Sequence, residues 1–321
     1  MPLLAVNHLV TYYRTTDGPV RALDDLSFTL ERGTSLGIAG ESGCGKSTVA
    51  LALLRLLEVR GGGIDSGRVV FDGQSLLEMS KAELNRIRWE RIALIPQAAI
   101  SGLNPVYRVG DQIVEAIRSH RSVSKSQALE RARALLTRVG LGESTLRAFP
   151  HEMSGGMRQR AMIAMALVLD PDLVVADEPT TALDTVTQAQ IVGLLRRLQR
   201  EMKIATVFIS HDLSVLAQIC DRLMVMYAGQ IVETADVADL FHSPCHPYTK
   251  ALLGSFPDIT AAPRPMSPLP GKPPELSSPP RGCRFHPRCP ESDARCEQVE
   301  PDLLGVGAGR QVRCHLWSEG R

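Results

Sequence analysis

Nine residues, Gly40-Glu-Ser-Gly-Cys-Gly-Lys-Ser-Thr48, carry the clearest chemistry in this chain. Their spacing, G-x-x-x-x-G-K-S, lets backbone N–H groups wrap a polyphosphate. Gly40, Gly43 and Gly45 let the backbone turn and approach the anion closely, with Ser42, Cys44 and Thr48 completing the wrap. Lys46 would reach the β- and γ-phosphates, and the Ser47 hydroxyl would sit on Mg²⁺. An apolar run at 35–39 precedes the loop and a helix-like run at 49–57 follows it, so the positive end of a helix also faces the phosphates. The alternative is a chance glycine-rich turn before a helix. The full pattern between strand and helix points instead to a nucleotide bound with Mg²⁺.

Further candidates lie downstream. The apolar run 173–176 ends in Asp177-Glu178, as a strand delivering carboxylates to a phosphoryl-transfer site would. Asp177 would hold Mg²⁺ through water, and Glu178 would orient and deprotonate the attacking water. Adjacent carboxylates are common on surfaces, and this pair gains its weight from the glycine loop. Tyr12 and Tyr13 close an early strand and could stack on an adenine ring, although a half-buried tyrosine pair is also ordinary strand chemistry. His211 directly follows the apolar run 205–209, where a lone histidine is ordinarily structural.

The elements that must hold these residues are readable from periodicity. Residues 3–30 alternate as short antiparallel strands, broken at 15–19. Gly61-Gly-Gly63 reads as a turn before a strand at 67–73, and 91–96 as a buried strand ending at Gln97. From 98 to about 150 the pattern is helical, including a helix at 124–141 with Ser124 as N-cap and Gly142 near its end. A further helix opens at Ser154-Gly-Gly156 and stops at Asp170-Pro171, and another spans 188–200. Helices alternating with apolar runs predict a mostly parallel α/β sheet.

Composition bounds the function. The chain has 321 residues, 22% charged and 44% hydrophobic, with a net charge of +1, which excludes the basic excess of an electrostatic nucleic-acid binder. Every apolar run falls short of the roughly 20 residues needed to span a bilayer, and the N-terminus lacks the pattern of a secretory leader. A soluble protein is therefore expected, with any membrane role exerted through partners. Prolines recur from 257 to 280, predicting an extended connector. Of seven cysteines, Cys44, Cys220 and Cys245 are scattered and assigned to packing, whereas Cys283, Cys289, Cys296 and Cys314 crowd together. Their spacing, Cys-x5-Cys-x6-Cys-x17-Cys, lacks the short pairs of structural zinc sites. Four thiolates and the Cys289-Pro290 step suit an iron–sulfur cluster, with zinc and free thiols as the other readings.

Over residues 1–235 the chain resembles the ATP-binding subunits of ABC transporters. The resemblance rests on Gly40 to Ser47, Gln97 after a strand, Ser154-Gly-Gly-Met-Arg-Gln-Arg160, the run 173–178 and His211. It implies an α/β P-loop NTPase of ABC type, with an antiparallel β subdomain and an inserted helical subdomain at about 98–170. The implied nucleotide-binding domain is 1–254, followed at 255–321 by the proline-rich connector and a cysteine-rich C-terminal extension. In such proteins two domains pair head to tail, and Ser154, Gly155, Gly156 and Gln159 of one would face the nucleotide of the other. By the same resemblance Tyr13, rather than Tyr12, stacks on adenine. Gln97 touches Mg²⁺ and the attacking water, Asp184 meets the partner across the dimer, and His211 binds the γ-phosphate. Two departures are Met153 where leucine is usual, and the sequence Ala-Ala-Ile-Ser-Gly-Leu-Asn-Pro105 after Gln97.

Within that family, Leu103-Asn-Pro105, Met226-Tyr-Ala-Gly229, His246-Pro-Tyr-Thr-Lys-Ala-Leu-Leu253 and Gly282-Cys-Arg-Phe-His-Pro-Arg-Cys-Pro290 look like the dipeptide/oligopeptide importer group, which includes nickel importers. The resemblance implies a subunit that powers import of di- or oligopeptides, peripheral to the cytoplasmic face of the membrane. Its implied partners are a second ATPase subunit (a heterodimer first, a homodimer otherwise), two transmembrane permease subunits and, indirectly, an extracytoplasmic solute-binding protein. Some members of the group are thought to carry a [4Fe-4S] cluster at the corresponding cysteines. Nickel or another small solute is the alternative cargo. A soluble ABC ATPase acting on ribosomes or DNA would show fused halves, a long coiled coil or a basic surface, and an idle partner would show degenerate motifs.

Overall fold

The computed structural model describes residues 1–97, 102–255, 269–307 and 309–318. They form two compact units. One comprises Met1–Leu3, Leu30–Ser35 and Glu78–Ile209, the other Leu4–Thr29, Leu36–Leu77 and Ser210–Arg321.

The first unit is built on three parallel strands, Ile92–Ile95, Leu173–Asp177 and Ala205–Ile209, with Ile92 opposite Leu173 and Leu173 opposite Ala205. The last two strands are buried along their whole length, as unbroken apolar runs covered on both faces must be. Helices Lys81–Ile87, Val109–His120, Lys125–Arg138, Gly155–Leu167 and Thr185–Met202 belong to the same unit. Ser124 caps its helix through a reciprocal pair with Gln127, as the sequence predicts. That helix ends at Arg138, and the left-handed glycine beyond it is Gly140 (φ 78°), not Gly142. The expected start of the helical segment at 98–101 lies outside the described residues.

The second unit holds an antiparallel sheet in the order Gly18–Leu30, Leu4–Thr15, Gly62–Phe71, Gln74–Ser75. Its glycines correct the sequence reading: only Gly61 belongs to a turn, closing the 3₁₀ segment Leu57–Arg60, while Gly62 and Gly63 are in the strand. They stand opposite Tyr13 and Tyr12, and a Cβ on either would come within 3 Å of atoms of those tyrosines. The same unit carries Ser35–Ala39 parallel to Arg222–Tyr227, which turns through Ala228 (φ 47°) and Gly229 (φ 84°) into Gln230–Asp236. Two consecutive left-handed residues make the tight turn that forces an antiparallel pair, so this part of the α/β fold is mixed instead of mostly parallel. Gln311–Val312 adds to Gln230–Asp236, with Val312 opposite Glu233. Residues 256–268 of the expected proline-rich connector lie outside the described residues.

The chain after the hairpin is tied down by arginines. Arg284 donates to the Ala228 carbonyl and pairs with Asp24, and Arg313 donates to the Ile231 carbonyl and pairs with Asp25 at 3.3 Å. Tyr227, Tyr248 and Phe285, all fully buried, pack ring on ring with centroids 4.7–5.3 Å apart.

Candidate active site

The glycine loop joins the strand Ser35–Ala39 to the helix Lys46–Leu53. Gly40 has φ 150°, and a Cβ there would sit 2.3 Å from the Met226 carbonyl. Gly45, the N-cap of the helix, has φ 106°, and its Cβ would meet the Ala22 carbonyl at 2.7 Å. The loop is thus pressed against neighbouring backbone, and Gly229 N–H donates to the Cys44 carbonyl at 2.9 Å. Lys46 is 6% exposed, and its Nζ donates to the carbonyls of Gly40 at 2.8 Å and Glu41 at 2.9 Å. Burial pushes the Cys44 thiol up, so it stays neutral beside the lysine. Ser42 and Gly43 are exposed at the loop tip, Ser47 is half-buried and Thr48 buried. Tyr13 Oη bonds Thr48 Oγ1 at 3.5 Å, while Tyr12 lies over Gly63. Successive strand residues face opposite ways, so Tyr13 is the one on the loop's side. A cavity of about 830 Å³ is lined by residues 15 and 17–20, by 41–44, by Tyr227 and Ala228, and by residues 272–277 of the proline-rich stretch. His211 is exposed; the preceding Ser210 is fixed by its N–H to the Ile38 carbonyl at 3.2 Å.

In the other unit, the strand Leu173–Asp177 ends in the buried Asp177. Glu178 follows with φ 46°, its N–H donating to the Ile209 carbonyl at 2.9 Å. Its Oε2 accepts from Gln97 Nε2 at 2.9 Å and from Thr181 Oγ1 at 2.8 Å. The structure therefore brings Gln97 and Glu178 together across 81 residues. Thr181 is a contributor the sequence reading missed; a hydroxyl three residues after the glutamate was the available signal.

Ser154 is the N-cap of Gly155–Leu167, its Oγ accepting from Met157 N–H at 3.2 Å. Beside it, Gly156 has a local reason to be glycine: a Cβ would meet Thr187 Cγ2 at 2.7 Å. Gln159 is buried, and its Nε2 has no hydrogen-bond partner among the described residues. Asp184 caps Thr185–Met202, accepting from Thr187 N–H at 3.0 Å and Oγ1 at 2.6 Å, bonds that hold its carboxyl below the usual range.

Cys283, Cys289, Cys296 and Cys314 line one cavity of about 150 Å³, together with His286 and His315. All seven cysteines are free thiols. Burial, reinforced by the neighbouring cysteines, pushes Cys289 up to about 11 and Cys314 up to about 12. His315 Nε2 bonds the Val299 carbonyl at 2.8 Å, leaving its buried Nδ1 without a partner among the described residues. No three or more His, Cys, Asp and Glu side chains among the described residues are placed to hold a single metal ion. The four cysteines thus share a cavity, but the described residues form no ready-made site for iron or for zinc.

A glycine loop ahead of a helix with a buried lysine, and a strand delivering paired carboxylates, define the class of nucleotide-hydrolysing α/β proteins. A model of the ABC transporter family matches residues 23–181, and one described as the oligopeptide/dipeptide transporter C-terminal region matches residues 232–296. The chain is 47% identical to a probable peptide ABC transporter ATP-binding protein of Sinorhizobium fredii, over 97% of its own length and 94% of the relative's. It is 45% identical to the oligopeptide transport ATP-binding protein OppD of Salmonella typhimurium (97% and 93% covered) and 43% to the dipeptide transport ATP-binding protein DppD of Escherichia coli (98% and 97%). A dimeric, post-hydrolysis ATP-binding cassette bound to ADP and Pi matches with a TM-score of 0.66 and 25% identity, covering 73% of this chain and 98% of that one. The cbiO1 protein from Clostridium perfringens, part of the ABC transporter complex cbiONQ, matches at 0.65 and 26%, covering 75% and 91%. This chain belongs to the ABC transporter ATP-binding subunits, in their oligopeptide/dipeptide group.

Proposed function

We propose that the chain hydrolyses ATP to power import of di- or oligopeptides through a membrane permease. The observation that carries the hydrolytic part is the Glu178 carboxylate, fixed by Gln97 and Thr181 at the end of the Leu173–Asp177 strand. Its carboxylate takes the proton of the attacking water, and Gln97 orients that water through its amide. Lys46 leaves the loop carbonyls for the β- and γ-phosphates, Tyr13 stacks on the base, and His211 holds the γ-phosphate. Ser47, Gln97 and Asp177 each offer an oxygen donor, the chemistry that suits a hard cation. When bound there, Mg²⁺ supplies neutralising charge for the phosphates.

Peptide as cargo is supported by the oligopeptide/dipeptide C-terminal match and by relatives that carry that function in their names. The permease is a separate pair of transmembrane subunits; no helix among the described residues is itself long and apolar enough to cross a membrane. The chain works at the cytoplasmic face beside a second ATPase subunit, in a heterodimer, with cargo delivered by a solute-binding protein. Ser154, Gly155, Gly156 and Gln159 serve the partner's nucleotide, and Asp184 lies at the contact between cassettes.

The C-terminal cysteine-rich extension holds a [4Fe-4S] cluster on Cys283, Cys289, Cys296 and Cys314. Four free thiols lining one cavity, without the short cysteine pairs of structural zinc sites, support this reading. Bound iron supplies the positive charge that lets these thiols ionise.

Glu178→Gln tests the hydrolytic assignment. MgATP binding is retained, turnover falls by about 100-fold or more, and an ATP-dependent complex with the partner cassette accumulates. Turnover equal to that of the unaltered chain would sink the role of Glu178.

A further inference from the structure

We propose that Arg288 and Tyr248 are positioning residues for the phosphate loop: they hold Glu41 from outside and thereby preset the loop for nucleotide. The proposal rests on the nucleotide-site reading above.

All three polar groups of Glu41 are held. Its N–H donates to Tyr248 Oη at 3.0 Å. Its carboxylate accepts from both arms of the Arg288 guanidinium, Nη1 to Oε2 at 2.6 Å and Nη2 to Oε1 at 3.0 Å. Its carbonyl accepts from Lys46 Nζ at 2.9 Å. The fork-to-carboxylate geometry fixes orientation as well as distance.

The grips are themselves rigid. The Arg288 side chain is 5% exposed; its Nε donates to the Pro270 carbonyl at 2.7 Å and its Nη1 also reaches Tyr227 Oη at 3.3 Å. Tyr248 is fully buried against Tyr227 and Phe285. This is a multiply bonded pair with a buried guanidinium and a half-buried carboxylate, unlike the fully exposed ion pairs that contribute little.

Glu41 occupies a stretch of the loop that gains from an anchor. It sits between Gly40 and Gly43, both at positive φ, where the backbone has the most freedom to lose. The orientation of its peptide also fixes a carbonyl on which Lys46 Nζ rests. Without Arg288 the loop would explore other conformations, and nucleotide binding would have to order it. Once ATP is bound the phosphates hold the loop themselves. The effect therefore falls on affinity and KM, and not on turnover at saturating ATP.

The experiment compares the full chain with Arg288→Gln, Arg288→Lys, Glu41→Gln and the Arg288→Gln/Glu41→Gln double variant, by equilibrium MgATP binding, steady-state ATPase and thermal melting. Each glutamine variant is expected to bind MgATP about fivefold to thirtyfold more weakly, with kcat near the unaltered value. The double variant should be no weaker than the worse single one, and Arg288→Lys should regain part of the loss. If Arg288→Gln does not fold, Glu41→Gln and Arg288→Lys carry the same comparison. Affinities within about twofold of the unaltered chain in folded variants, or losses that multiply in the double variant, overturn the clamp. An unaltered chain that binds no MgATP instead overturns the nucleotide reading, and the clamp falls with it.

Discussion

Glu178 is held at φ 46°, a left-handed conformation that costs a non-glycine residue of order 1–3 kcal/mol. Pro179 follows and disfavours the right-handed helical alternative, while the Ile209 carbonyl and the Gln97 and Thr181 side chains fix the result. The sequence discloses the carboxylate at a strand end but not this backbone, because the groups that enforce it come from distant segments. His246 is a second case. It is buried, accepts from Tyr248 N–H at 3.0 Å through Nδ1, and is lowered to about 3, chiefly by burial and also by Lys250. An unfolded histidine takes up its proton near pH 6.5, so only the unfolded chain is charged between pH 6.5 and 3. The neutral ring thus favours the fold fully above pH 6.5, and stability falls as pH drops below it, by about 1.4 kcal/mol per unit from this group. Melting curves from pH 7.5 to 5 should show a steeper acid loss for the unaltered chain than for His246→Gln. Parallel slopes would refute it.

Helix ends show what an element owes to local sequence. Ser124 was read as an N-cap and caps; Ser154, read only as the opening of a helix, caps too, and each bond closes within three residues. The glycines at 62 and 63 were not readable as strand, because the tyrosine rings they accommodate lie on a neighbouring strand some 50 residues earlier. Gly156 likewise looks like room for an anion and also makes room for Thr187. The two serine caps separate structure from function. Ser124→Ala and Ser154→Ala should each lose about 1 kcal/mol in urea unfolding. ATP turnover in the assembled transporter should be unchanged in Ser124→Ala and reduced in Ser154→Ala. Equal turnover in both would leave Ser154 as a cap alone.

At the scale of the whole molecule, the cysteine-rich region is integral to the unit that carries the phosphate loop. Four cysteines in the sequence announced a shared site, and they do share a cavity; what the sequence could not announce were the arginines between them, Arg284 and Arg288, which reach Asp24 and Glu41. A thiol lobe so connected should lose more than its own order when the proposed cluster is removed. Chain purified without oxygen should contain iron and acid-labile sulfide and absorb visible light, and Cys289→Ala should lose both iron and several degrees of melting temperature. A colourless chain with stoichiometric zinc would replace the cluster with a single ion.

The bond from Arg288 to Glu41 spans 247 residues, and that from Arg284 to Asp24 spans 260. Synthesis runs from the amino end at roughly 5–20 residues per second, so the phosphate loop leaves the ribosome many seconds before its anchors exist. The motif that is written first is finished last. A prematurely terminated product would display the whole G-x-x-x-x-G-K-S sequence and lack the residues that steady it, which makes the C-terminal arginines a check that the entire chain has been made.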